Sequence, residues 1–122
     1  MKLAVCAQGE GLDAQVDQRF GRCPYFVIID SETGELLKSV PNSGAAAAGG
    51  AGPQSARQLS QEEVGAVALG HVGPNAAAAL KAAGISVYGG VSGTVAQTWQ
   101  QFREGSLSVI DEPTVDSHHG MP

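Results

Sequence analysis

GAVALGHVGPNAAAALKAAGISVYGG, residues 65–90, carries the reading of the fold. GAVALG (65–70) is a short apolar run bounded by glycines and reads as a buried strand. GPNAAAALKAAG (73–84) is an alanine-rich helix, opened by Pro74, whose missing N–H costs nothing in a first turn, and stopped by Gly84. ISVYGG (85–90) is a further strand. Strand, helix and strand in such close succession imply parallel pairing through a crossover.

Working outward, GTVAQTWQQFREG (93–105) reads as an amphipathic helix with Val95, Trp99 and Phe102 on one face and Gly105 at its end. On the other side, GPQSARQLSQEEV (52–64) reads as a helix with Pro53 near its start. The front of the chain supplies strands at KLAVCA (2–7), YFVIID (25–30) and ELLKSVP (35–41). The turn SETGE, with Gly34 suited to positive φ, makes the second and third an antiparallel hairpin. The expected order is β-β-β-α-β-α-β-α, an α/β fold with a single mixed five-stranded sheet flanked by helices. Residues 1–107 form the expected domain, and the polar stretch 108–122 a loose tail.

Between the hairpin and the first helix lies NSGAAAAGGAGPQ (42–54), with four glycines, five alanines and no charge. Loops this long and bare are uncommon in compact domains unless they are functional or disordered.

Composition narrows the function. A net charge of −5 and seven scattered basic residues argue against a general nucleic-acid binder. No apolar run approaches membrane-span length, and the start is too soon polar for a secretory signal, so a soluble cytoplasmic protein is expected. Cys6 and Cys23 do not form a CxxC pair, and a structural disulfide is not expected in a reducing compartment. Cys6 reads as a small buried thiol. Cys23, in an arginine-bearing turn, is expected to be the more accessible.

Each helix of the back half is led in by glycine: Gly52-Pro53, Gly73-Pro74 and Gly93-Thr94. In an α/β sheet this puts helix N-termini, with their free N–H groups and partial positive charge, at the carboxyl ends of strands. Gly-Pro also simply starts helices well, but three such starts beside a bare loop point to a shared anion pocket. Gly49, Gly50, Gly52, Gly73, Gly90, Gly93 and Thr94 are its candidate backbone, with Arg19, Arg22 and His71 as candidate side chains. His71, just after a strand, could ligate a metal or donate to an anion. Cys23 could add a sulfur, and His118, His119 and Met121 in the tail bring imidazole and thioether donors that suit copper. Asp30 reads as the opening of its turn, and Glu62 and Glu63 as solvent-facing. Asp13 and Asp17 carry no readable pattern. There is no GxxxxGK[ST], no GxSxG and no placed pair of carboxylates, so an enzyme is not expected.

FGRCPYFVIID (20–30), NSGAAAAGGAG (42–52), GHVGPNAAAAL (70–80) and AGISVYGGVSGTVAQ (83–97) together resemble the dinitrogenase iron–molybdenum cofactor biosynthesis family. The resemblance runs from Met1 to about Leu107. It implies a ribonuclease-H-like fold, without the acidic strand residues a nuclease of that fold needs, and a cofactor-carrier role in nitrogenase assembly. The single domain and His/Met-bearing tail look more like stand-alone members that carry a molybdenum–copper sulfide cluster. The resemblance thus implies an anionic metal–sulfur cluster as ligand, molybdenum–copper sulfide or an iron–molybdenum cofactor precursor, bound without covalent bonds, and a protein acceptor or assembly partner. An adaptor module that binds a protein or a small anion in the same pocket remains the rival reading.

Overall fold

The computed structural model describes residues 1–46 and 50–110. Gly49 and the tail residues His118, His119 and Met121 lie outside the described residues. The elements run β1 (Lys2–Ala7), β2 (Tyr25–Asp30), β3 (Leu36–Pro41), α1 (Ala51–Gln61), β4 (Ala66–Ala68), α2 (Pro74–Ala82), β5 (Ser86–Gly89), α3 (Val95–Glu104) and β6 (Ser108–Val109). They build one mixed sheet in the order β3-β2-β1-β4-β5-β6. Among the described residues the sheet has six strands, not five. The extra strand, β6, comes from the stretch assigned to the tail, pairing Val109 with Tyr88 and Ser108 with Gly89. Two residues, one of them a 64% exposed valine, leave no hydrophobic pattern to read.

The parallel pairs β1–β4 and β4–β5 form the centre, and the hairpin β2–β3 extends it antiparallel. β1 and β2 are apolar without alternation because both faces of the sheet are covered. Ala4, Cys6, Phe26, Ile28 and Val67 pack with Ala56 and Leu59 of α1 and Leu80 of α2. Leu3, Val5, Val27, Ile29, Ala66 and Ala68 face the opposite side, where Val95, Trp99 and Phe102 of α3 meet them. The apolar face expected for the last helix is the face that packs.

Two turns behave as read. Asp30 accepts hydrogen bonds from the Glu32 and Thr33 N–H groups at 2.8 and 3.2 Å, and Gly34 has φ 78°. α1 ends three residues earlier than expected, at Gln61, because Glu63 turns left-handed at φ 61° with no glycine to announce it. Glu63 is exposed, whereas Glu62 is half-buried and pairs with Lys38 at 2.7 Å. No helix among the described residues is long and apolar enough to cross a membrane.

Candidate functional site

The turn at residues 20–24 sits where the starts of α1 and α2 come together. It is fastened to the loop after β4: the His71 N–H donates to the Gln18 carbonyl at 2.7 Å, and the Phe20 N–H to the His71 carbonyl at 3.3 Å. The turn closes on itself through the Cys23 N–H and the Arg19 carbonyl at 3.0 Å. Gly21, at φ 82°, lies so close to α1 that a Cβ there would stand 3.1 Å from the Gly52 nitrogen. A Cβ on Gly52 would in turn stand 2.6 Å from the Ala76 Cβ. Glycine at both positions is what lets the turn and the two helix starts converge.

The result is a pocket of about 290 Å³ lined by Phe20, Arg22, Gly50, Gly52, His71 and Gly73 among others, with no carboxylate in its wall among the described residues. α1 is N-capped by Gly50 in the left-handed region and α2 by Gly73, and neither has a side-chain cap or an acidic residue in its first turn. A helix start leaves backbone N–H groups without intrahelical partners and carries partial positive charge. Two such starts facing one pocket, with a guanidinium and an imidazole beside them, make a place for an anion.

The third helix start does not join them. Thr94 caps α3 by accepting from the Gln97 N–H at 3.2 Å, and the Gln97 side chain accepts from the Thr94 N–H at 2.9 Å. The next N–H groups, of Val95 and Ala96, donate to the Ala14 and Leu12 carbonyls. The donors of α3 are thus used inside the fold, and α3 packs on the opposite face of the sheet. Gly93 lines a different cleft, with Ser92 and Gln97, while Gly90 and Thr94 line neither that cleft nor the anion pocket. The expected meeting of three helix starts is a meeting of two.

The two arginines separate. Arg19 is 67% exposed and grips the nearly buried Asp17 through Nε and NH2, both at 3.2 Å. Its backbone N–H also donates to Asp17 at 2.9 Å. Burial pushes the Asp17 carboxyl up, but these hydrogen bonds outweigh it and hold the group below its ordinary range. Arg22 is the arginine that lines the pocket, and its NH1 also donates to the Ala45 carbonyl at 3.2 Å.

Cys23 is not the accessible thiol expected of it. Both cysteines are fully buried, because the turn folds Cys23 inward against Phe20 and Phe26 beneath the pocket. It offers no sulfur to the pocket in this arrangement.

Asn42 was not a candidate in the sequence, yet it organises the start of the bare stretch. Its Nδ2 donates to the Cys23 carbonyl at 2.9 Å, and its Oδ1 accepts from the Gly44 N–H at 3.0 Å and the Ser55 hydroxyl at 2.6 Å. The Gln58 side chain accepts from the Ser43 N–H at 2.8 Å and donates to the Pro41 carbonyl at 2.7 Å. Residues 42–46 are therefore tied to α1, and Ala51 already belongs to that helix. An asparagine at the end of a strand and before a glycine is a turn signal that marks this anchor in retrospect. Asp17 has a weaker one, an Asp-x-Arg spacing that allows a local ion pair.

Among the described residues no three or more histidine, cysteine or acidic side chains gather to hold a metal ion. The pocket's chemistry is that of backbone dipoles and two basic groups.

Residues 1–105 match the family described as dinitrogenase iron-molybdenum cofactor. Among solved structures, the apo form of the orange protein from Desulfovibrio gigas superposes with a TM-score of 0.87 at 38% identity, covering 93% of this chain and 95% of that one. A Thermotoga protein described as a NifB protein of the DUF35 family superposes with a TM-score of 0.79 at 36% identity, covering 93% of this chain and 96% of its own. An uncharacterized protein of Methanocaldococcus jannaschii is 30% identical over 99 residues, 80% of this chain and 84% of that protein.

Proposed function

The chain belongs to the dinitrogenase iron-molybdenum cofactor family, and on that footing we propose that it is a non-enzymatic carrier which holds a molybdenum-containing metal–sulfur cluster in the pocket between the starts of α1 and α2. The observation that carries this reading is the pair of helix N-termini, without side-chain caps or acidic first turns, facing a pocket lined by Arg22 and His71. A thiomolybdate-type cluster is anionic, bulky and soft. Backbone N–H groups, Arg22 and His71 hold such a group through charge and hydrogen bonds and leave it free to be handed on. A molybdenum–copper sulfide cluster, the cargo that the resemblance of the sequence implies for stand-alone members, is favoured, and an iron–molybdenum cofactor precursor, in keeping with the family's description, comes next.

The test is an anaerobic titration of metal-free protein with tetrathiomolybdate, with and without Cu(I). Protein-bound molybdenum, copper and sulfide are measured after desalting. New visible bands that saturate at a fixed metal ratio are expected. Loss of all molybdenum on desalting in both conditions would overturn the molybdenum–copper assignment and turn attention to an iron–molybdenum precursor or to an adaptor role.

A further inference from the structure

Beneath the pocket, the two cysteines meet. Cys6 comes from the middle of the sheet, where β1 pairs it with Phe26, and Cys23 from the turn that folds over it. The chain between them is drawn in at both ends: the Asp17 N–H donates to the Cys6 carbonyl at 2.9 Å, and the Cys23 N–H to the Arg19 carbonyl at 3.0 Å. The two thiols are hydrogen-bonded to each other, and burial pushes the Cys6 thiol well above its ordinary range. A third polar group reaches the sulfurs: Asn42 Nδ2 lies 3.7 Å from the Cys23 Sγ as donor. Neither thiol is exposed, no disulfide joins them, and the pocket above does not use them.

We propose that Cys6 and Cys23 form a second, separate site, a two-sulfur clamp for a thiophilic monovalent cation such as Cu(I). The donor set selects the class. Two sulfurs with no third histidine, cysteine or carboxylate grouped with them among the described residues cannot complete the four-coordinate shell that Zn²⁺ takes. Thiolate ligands favour Cu(I) among the common metals, and a closed-shell monovalent ion accepts two ligands. Binding replaces the two S–H bonds by two S–Cu bonds and releases two protons to solvent, with no change of oxidation state. The resulting bis-thiolate complex carries one negative charge. The Asn42 amide donor at the Cys23 sulfur offsets part of the cost of burying it, as hydrogen bonds to ligating sulfurs do elsewhere. Nearby Asp17 adds little repulsion because Arg19 already compensates its charge. Since both sulfurs are covered, the cation enters when the turn at residues 20–24 lifts, and uptake follows the rate of that opening.

This site goes beyond the carrier reading and stands or falls apart from it, because the probe is Cu(I) alone, with no molybdenum or sulfide present. Reduced, metal-free protein is titrated anaerobically against a chromogenic Cu(I) chelator, and the copper-loaded protein is examined by X-ray absorption. One equivalent bound, with two sulfur neighbours and no nitrogen or oxygen neighbour, is expected. Cys6→Ser and Cys23→Ser are each expected to lose affinity by about 100-fold, as soft ligands are replaced by hard ones. The wild-type spectrum keeps the test decisive even if a serine variant does not fold. Failure of the wild type to compete for Cu(I), nitrogen or oxygen in the first shell, or unchanged affinity in both folded serine variants would overturn the proposal. So would loss of both free thiols as a disulfide with no copper bound.

Discussion

At the scale of single residues, the two arginines of the turn have different jobs, and their substitutions should part accordingly. Arg22→Ala removes a charge that lines the pocket. It is expected to weaken tetrathiomolybdate retention by about 5- to 10-fold, the worth of roughly 1 kcal/mol of charge-assisted contact. The loss should be larger at low salt than at high salt. Arg19→Ala removes the partner of Asp17, so its effect should appear mainly as lost stability in urea unfolding. The acid limb of stability follows from the same pair. The folded Asp17 carboxyl titrates below its unfolded value, so the native state binds fewer protons than the unfolded one in that range. The stability it contributes is complete above the unfolded pKa of about 4 and is lost as pH falls through the folded value. In Asp17→Asn, unfolding measured from pH 6 down to pH 2 should therefore show a shallower loss than wild type. An equally steep acid limb would mean that the ion pair does not contribute. The sequence offered both arginines to the pocket but not their division, because it shows that Asp17 and Arg19 are neighbours and not that the turn buries one and exposes the other.

At the scale of elements, the sequence was most readable where burial is two-sided. The apolar runs of β1, β2 and β4 and the apolar face of α3 announce themselves, since a covered sheet and an amphipathic helix each have a pattern. β6 has none, being held by backbone pairing with β5 rather than by side-chain burial. The helix starts were visible as Gly-Pro and Gly-Thr, but not which side of the sheet each would face. That difference decides function, and it can be tested by contrast. Thr94→Ala removes the side-chain cap of α3 and is expected to cost about 1 kcal/mol in urea unfolding, with cluster retention unchanged. Gly52→Ala adds a methyl against Ala76 where α1 meets α2. It is expected to cost about 1–3 kcal/mol through overpacking and also to impair retention, because it pushes apart the two helix starts that frame the pocket. Retention lost in Thr94→Ala but kept in Gly52→Ala would place the site at α3 instead.

At the scale of the whole molecule, a protein of net charge −5 is proposed to gather an anion. The local field of Arg22 and two helix starts acts within a few ångströms, while the summed charge acts from farther off. For a dianion about 20 Å from five net negative charges, the unscreened repulsion in water is on the order of 2 kcal/mol. At 0.1 M salt the Debye length is about 10 Å, and most of that repulsion disappears. Association and dissociation should therefore respond to salt differently. The association rate of tetrathiomolybdate is expected to rise about 2- to 5-fold between 10 and 150 mM salt as the long-range repulsion is screened. Short-range attraction also weakens, so dissociation should quicken as well. Asp111, Glu112 and Asp116 supply three of the negative charges, and no Lys or Arg lies between residues 111 and 122. Changing those three to Asn, Gln and Asn leaves a net charge of −2 and spares His118, His119 and Met121. Stopped-flow mixing at low salt should then show faster association in the triple variant than in wild type, with the two rates converging at 150 mM. If association in wild type instead slows as salt is added, the pocket's own field reaches well beyond its rim, and capture would be steered by the site rather than resisted by the molecule around it.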